Sequence, residues 1–238
     1  MTKLIILDAG HGGSDPGSIG NGLKEKTITL AVVNKIVAYL KSHYGVECQL
    51  TRTGDDTLQL SERTRKANAW NADCLVSVHV NSATSSAATG FESFVYLTDG
   101  PTSKAHALQE KLHKKLADLF AEHKLPDRGK KQENLHMVRE FKGPAVLVEL
   151  GFISNKIDAA LLKQDAFLNA CAHAIGDGLA EYFNFTKQTP AENKAPQGLY
   201  RVQIDGKQIG AYGEPTNVLE QVKTAIAEGK KEIAISLI

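Results

Sequence analysis

Cysteine is scarce in this chain of 238 residues: Cys48, Cys74 and Cys171 are the whole supply. An odd, scattered set of three builds neither a disulfide framework nor a paired zinc-ligand spacing, so these residues read as small buried apolar groups. An excess of charge of one sign is also lacking. The 28 Lys and Arg against 27 Asp and Glu leave a net charge of +1, which removes the electrostatic case for nucleic acid or an anionic membrane as partner. Long apolar runs are missing too, and nothing reaches the roughly 18 residues that a bilayer span needs. The apolar start, Leu4-Ile5-Ile6-Leu7, runs straight into Asp8. It is too short for a signal-peptide core and has no small-residue cleavage site. The expectation is synthesis in the cytoplasm with no Sec route encoded. What is present, 42% hydrophobic and 23% charged residues, is the balance of a globular protein long enough to bury a core without cross-links.

The chain alternates between two kinds of segment. Leu4–Leu7 is a short continuous apolar run, the pattern of a fully buried strand. Six glycines between Ala9 and Gly22 mark a loop, and Thr27–His43 then carries Ile28, Val32, Ile36, Tyr39 and Leu40 at helical spacing. Strands are expected at Val46–Thr51, Cys74–Val80, Phe91–Leu97 and Ala145–Leu150. Helices are expected at Thr57–Ala69, Ser103–Glu122 and Ile157–Phe183, the last as one or two pieces. Strands alternating with helices imply an α/β fold, a mainly parallel central sheet flanked by helices on both faces.

Composition changes after Phe185. Residues 186–198 are polar with two prolines and read as a linker between a domain at 1–185 and a small unit at 199–238. In that unit Tyr200–Ile204 and Gln208–Tyr212 flank Asp205-Gly206, a two-residue hairpin signal. Thr216 is a candidate N-cap for a helix with Leu219, Val222 and Ile226, and Ile233, Ile235 and Leu237 alternate as a last strand. The pattern is β-β-α-β, a small α+β unit.

Chemistry concentrates where buried strands end. His11 follows the first strand in Asp8-Ala9-Gly10-His11-Gly12-Gly13, His79 closes Val76-Ser77-Val78-His79, and Glu149 closes Val146-Leu147-Val148-Glu149. Ligands of open α/β sheets bind outside the carboxyl ends of strands, so these residues suggest one shared site. Glu25, before the first helix, can reach the same place. Two histidines and a carboxylate make a catalytic zinc set, and a second carboxylate can serve as base. The plain alternatives stand beside this. A lone histidine after a strand is usually a loop residue, and Glu149 in an apolar strand serves either function or a buried ion pair, because an unpaired buried carboxylate is costly. The glycine cluster lacks the Gly-Lys-Ser/Thr ending of a phosphate loop.

Together these segments resemble the zinc-dependent N-acetylmuramoyl-L-alanine amidases of bacteria and their phages, over roughly Leu4–Phe183. The carrying motifs are Leu7–Gly13, Asp15-Pro16-Gly17, Gly22–Lys26, Leu60-Ser61-Glu62-Arg63, Ser77–Asn81 and Val148–Asn155. The family usually has Pro where this chain has Ala9 and Ala where it has Val80, and neither position is a ligand. The resemblance implies one zinc per chain held by His11, Glu25 and His79. It implies Glu149 as the catalytic acid/base, and peptidoglycan as substrate, cut between the lactyl group of N-acetylmuramic acid and the L-alanine of the stem peptide. Asn81, Arg63 and Arg128 are candidate substrate contacts. For Arg63 a structural ion pair is the stronger reading, and for Asn81 a hydrogen bond near His79 weighs equally.

The C-terminal pattern resembles half of the peptidoglycan-binding repeats found on such amidases, so wall binding is expected of it. A piece of this size is marginal alone, which makes pairing with its own copy, and so a homodimer, the companion expectation. A wall hydrolase made in the cytoplasm fits a phage endolysin released through a pore made by another protein, with a mother-cell autolysin as runner-up. Two other functions compete: a zinc carboxypeptidase or aminopeptidase acting on wall peptides, and a wall-binding protein with a decayed catalytic domain.

Overall fold

The structure is a computed structural model that describes residues 3–188, 200–212, 215–230 and 232–237. It divides into two compact units, Met1–Gln188 and Thr189–Ile238. In the first unit the elements run β1 (Ile5–Ala9), β2 (Ile19–Gly20), β3 (Leu23–Lys24), α1 (Glu25–Tyr44), β4 (Cys48–Leu50), α2 (Leu60–Ala69), β5 (Cys74–Asn81), β6 (Phe91–Tyr96), α3 (Lys104–Glu122), β7 (Asp127–Glu133), α4 (His136–Glu140), β8 (Ala145–Phe152), α5 (Lys156–Leu162) and α6 (Asp165–Phe183). Six strands form one sheet in the order β4-β1-β5-β8-β6-β7. The first four are parallel. β6 runs antiparallel to β8, and β7 is parallel to β6. The sheet is mainly parallel, as the alternation of strands and helices implies.

The two faces of this sheet differ. Ile5, Leu7, Val76, Val78, Val146, Val148, Phe91 and Val95 point one way into the large core, with Val32, Ile36 and Leu40 of α1, Leu108, Leu112 and Leu116 of α3, and Cys171, Ile175 and Leu179 of α6. Ile6, Leu75, Ala145 and Leu147 point the other way into a smaller core, with Ala67 of α2 and Met137 and Val138 of α4. Period-two alternation thus assigns every strand residue to a thickly or a thinly covered face. Cys74 and Cys171 are buried as expected of small apolar groups, and Cys48 is half-buried.

Several boundaries move for local reasons. The helix expected from Thr57 begins at Leu60, because the Thr57 hydroxyl accepts the Ser14 N–H at 2.9 Å and Gln59 forms a capping box with Glu62. The closing segment is two helices. The Asn155 side chain caps the first by accepting from Ile157 N and Asp158 N. Strand β7 was not foreseen. Its sequence, Asp-Arg-Gly-Lys-Lys-Gln-Glu, has no apolar alternation, since it lies at the sheet edge beside β6 alone.

The second unit contains β9 (Tyr200–Ile204), β10 (Lys207–Tyr212), α7 (Pro215–Ala227) and β11 (Ile233–Leu237), an antiparallel sheet in the order β10-β9-β11 with one helix. Asp205 and Gly206 both have positive φ, 48° and 76°, as a two-residue hairpin turn requires. Helix α7 begins at Pro215, a residue suited to a first helical turn, and the capping role expected of Thr216 falls on a side chain outside those described. Val202, Val218 and Ala225 are buried, while Ile209, Leu219, Ile226 and Ile235 stay exposed. Most of the expected linker, from residue 189 onward, lies outside the described residues.

Candidate active site

A polar row crosses the thinly covered face. His79 on β5 stands in register with Glu149 on β8, and Glu149 stands in register with Glu92 on β6. Cα partners in a sheet share a face, so His79, Glu149 and Glu92 point to the same side, near the ends of β5 and β8. Glu92 in turn accepts from Arg128 Nε of β7 at 3.0 Å and from Lys131.

The loop after β1 and the start of α1 complete the His79 end. Glu25, the first residue of α1 and almost wholly buried, receives both imidazoles on Oε1: His79 Nδ1 at 2.9 Å and His11 Nε2 at 3.2 Å. Val80 N–H donates to the same oxygen at 3.0 Å, and Ser18 N–H donates to Oε2 at 2.9 Å. Burial alone would raise the Glu25 pKa, but the contacts from His11 and His79 outweigh it and hold the carboxyl far below its usual range. The His11 ring is oriented from behind, with Nδ1 lying 2.8 Å from Asp15 Oδ2. An outer carboxylate on one ring nitrogen, with the other aimed at a shared centre, is the usual support of a ligand histidine.

The backbone here has no slack. His11 itself has φ 61°, an uncommon conformation for a non-glycine residue. A Cβ on Gly10 would overlap the His79 ring, and one on Gly17 would approach Glu25 and His11 to 2.7 Å. Buried arginines lock the loop. Arg63 donates to Asp8 Oδ1 at 3.0 Å, to Ala9 O at 2.6 Å and to His11 O at 2.5 Å, while Arg52 donates to Ala9 O and Gly10 O. Asp8 also accepts from Thr51 and Ser77, each at 2.6 Å. Burial pushes the Asp8 pKa up, but Arg63 and these two hydroxyls more than reverse the push and lower it. Arg63 is thus an ion-pair partner and a clamp on the His11 backbone. That is the stronger of the two readings given to it, and Arg63 also lines the cleft beside His11 and His79.

The donors fit a metal ion. His11, Glu25 and His79 each offer one ligand atom, and these atoms lie within 4.8 Å of one another. Two imidazoles and a carboxylate are a catalytic zinc set that leaves a position for water or substrate. Beside them, Glu149 Oε2 is buried and has no hydrogen-bond partner among the described residues. Burial, then the like charges of Glu25 and Glu92, push the Glu149 carboxyl well above its ordinary pKa. A buried orphan oxygen is expensive unless something else completes it. Asn81, two residues after His79, donates from Nδ2 to Glu92 Oε1 at 2.5 Å. Arg128 is exposed, with its guanidinium 4.7 Å from the centre of the Phe152 ring. Glu92 and Asp15 were not singled out from the sequence. Glu92 carried the signal that marked Glu149, an acid inside an apolar strand (Phe-Glu-Ser-Phe-Val). A cleft of about 340 Å³ opens at the His11–His79 end, walled by Asp15, Thr57, Gln59 and Leu60.

Comparison with known proteins gives this geometry a family. The N-acetylmuramoyl-L-alanine amidase family matches residues 5–181. The chain belongs to that family. The amidase is 43% identical over 189 residues to an endolysin of Bacillus phage SPP1, covering 79% of this chain and 69% of that protein. It is 39% identical over 236 residues to a sporulation-specific N-acetylmuramoyl-L-alanine amidase of Bacillus subtilis, covering 99% of this chain and 85% of that one. Among solved structures, the catalytic domain of the amidase CwlV from Bacillus (Paenibacillus) polymyxa superposes with a TM-score of 0.72 at 36% identity, over 78% of this chain and all of that one. The amidase reaction, hydrolysis of the amide between N-acetylmuramic acid and L-alanine in peptidoglycan, is accordingly the reaction of this chain.

Proposed function

We propose that the amidase is zinc-dependent, with one ion per chain held by His11, Glu25 and His79 and with Glu149 as the acid/base. The observation that carries this reading is the buried oxygen of Glu149, a residue in register with His79, which has no hydrogen-bond partner among the described residues. Bound zinc supplies Lewis-acid activation of water and polarisation of the scissile carbonyl. Glu149 takes a proton from the attacking water and delivers it to the amine of L-alanine as the amide C–N bond breaks. Asp15 keeps the His11 ring turned, and the Arg63 clamp keeps its backbone in place. The test is digestion of purified peptidoglycan before and after chelation, with identification of the new ends. New L-alanine amines, lost on chelation and restored by zinc, are the expected result. New ends inside the peptide would mean a peptidase, and cleavage indifferent to chelators would end the zinc reading.

The biological setting we infer is a phage endolysin acting on the wall after release from the cell, in line with the phage relative. One observation favours the second setting, an autolysin freed from a mother cell: the match to the sporulation amidase extends over 236 residues, through the C-terminal unit. No helix among the described residues is long and apolar enough to cross a membrane. The C-terminal unit is assigned to wall binding, and its exposed Ile209, Leu219, Ile226 and Ile235 also suit pairing with a second copy. Removal of residues 197–238 should leave hydrolysis of soluble muropeptides intact and reduce lysis of whole walls, since tethering raises local concentration without changing the bond-breaking step. Light scattering on the full chain and the truncated one tests self-association. Equal wall lysis by both would end the targeting role.

A further inference from the structure

The row on the open face does not stop at Glu149. It continues through Glu92 to a cationic end, and acid/base chemistry gives that end no task. Glu92 is buried, with a relative exposure of 4%, and carries one negative charge against two positive partners, Arg128 and Lys131. Counting these three groups, one positive charge is left over. Arg128 uses only Nε on Glu92, and among the described residues its two terminal nitrogens donate to nothing. The Arg128 guanidinium lies over the Phe152 ring, 4.7 Å from its centre. The result is an exposed fork of N–H donors, held at its Nε edge by a buried carboxylate and lying over a ring. Planar bidentate recognition of a carboxylate asks for such a fork.

The substrate decides which of its parts arrives there. On the glycan side of the scissile amide lies an uncharged amino sugar, whose lactyl carboxyl is consumed in the amide itself. Free carboxylates belong to the peptide. Glu149, which must face the departing amine, stands between the His11–His79 end and the Arg128 end, so the leaving peptide points along the row toward Arg128. Distance agrees. Strands are spaced by about 4.8 Å, so the two or three steps from β5 to β6 and β7 span roughly 10–15 Å. An extended peptide covers about 3.5 Å per residue, which brings a carboxylate about three residues along to the guanidinium.

We propose that Arg128, held in place by Glu92, is the subsite for a free carboxylate of the stem peptide on the leaving side of the cut. Arg128 touches substrate, and Glu92 is a positioning residue. This rests on the amidase reading above, and the experiment separates the two. Two soluble muropeptides are compared that differ only in one stem-peptide carboxylate, free in the first and converted to the carboxamide in the second. The enzyme as isolated is expected to favour the free acid about tenfold in kcat/KM, mainly through KM, the size expected for one partly exposed charge-assisted hydrogen-bonded pair. Arg128→Ala should bring the ratio of the two substrates to near one, and Arg128→Lys should restore part of it. An unselective wild-type enzyme overturns the subsite. So does an Arg128→Ala variant that loses rate equally on both substrates, which is the mark of a residue that only neutralises Glu92. Should Arg128→Ala fail to fold, Arg128→Gln gives the same comparison. If the wild type releases L-alanine amine from neither substrate, the amidase reading has failed and the subsite falls with it.

Discussion

The two faces of the six-stranded sheet are made from the same strands, yet they are different materials. One is sealed by α1, α3 and α6, and side chains such as Ile5, Leu7, Val146 and Val148 are fully buried and apolar there, with Ser93 a buried polar exception that bonds His113 of α3. The other is covered by two short helices over part of its area and carries Asp8, Ser77, His79, Glu149 and Glu92. Neighbouring residues on one strand therefore serve opposite purposes: Val78 is core, and His79 is chemistry. Apolar burial is concentrated on the sealed face, whereas the other holds the buried carboxylates of Asp8 and Glu92 and a Glu149 oxygen without a partner among the described residues.

Substitutions should divide along the same line. On the open face, His79→Ala is expected to have the largest effect, with loss of stoichiometric zinc and essentially all turnover. Metal analysis of the purified variant checks it, and a full complement of zinc would remove His79 from the ligand set. Glu149→Gln comes next. It should bind zinc and fold normally but lose on the order of 10²-fold or more in kcat, the usual loss for a general acid/base, and wild-type-like rates would end that role. On the sealed face the sign of the comparison reverses. Leu112→Ala removes a fully buried side chain that packs against Gly178 of α6. It should lower unfolding free energy by about 2–5 kcal/mol while folded molecules at low temperature keep their kcat. A proportionate fall in kcat would mean that the two faces are mechanically coupled.

The smallest effect concerns Asp8, which lies on the open face but belongs to the scaffold. Its folded pKa lies below that of an unfolded aspartate, so its contribution to stability is present above about pH 4 and is lost as pH falls through the folded value. Asp8→Asn lacks this dependence. The gap in denaturant midpoint between wild type and Asp8→Asn should be widest near neutrality and should close on acidification. A gap constant from neutral to acid pH would assign the difference to packing rather than to charge.

Strands β1, β5 and β8 were legible because burial from both sides writes a continuous apolar run, and α1, α3 and α6 because one-sided burial writes a helical stripe. The alternation of elements gave the layers but not the strand order, which places β8 between β5 and β6 through contacts far apart in sequence. Edge strand β7 left no trace, because an edge exposed to water needs no apolar alternation. His11, His79 and Glu149 are legible from their position at strand ends, Glu25 from its place before the first helix, and all four from family resemblance. The structure draws the first three into one cluster and sets Glu149 in register with His79. Glu92 was missed although its strand shows the same anomaly as that of Glu149, an acid among apolar neighbours. Arg63 shows the opposite limit. Its type suggested either substrate or scaffold, and only its distances to Asp8, Ala9 and His11 establish the scaffold role.

Strand β7 has one more consequence, for behaviour in crowded solution. A sheet edge offers unpaired backbone groups to any passing strand, and proteins with long apolar edges polymerise through them. Here one edge, β4, is only three residues long, and the other is β7, studded with Arg128, Lys130, Lys131 and Glu133. A neighbouring molecule adding a strand to that edge would have to strip water from several charges in a stretch of seven residues. The edge that carries the cationic end of the row is therefore a poor template for strand addition to the six-stranded sheet.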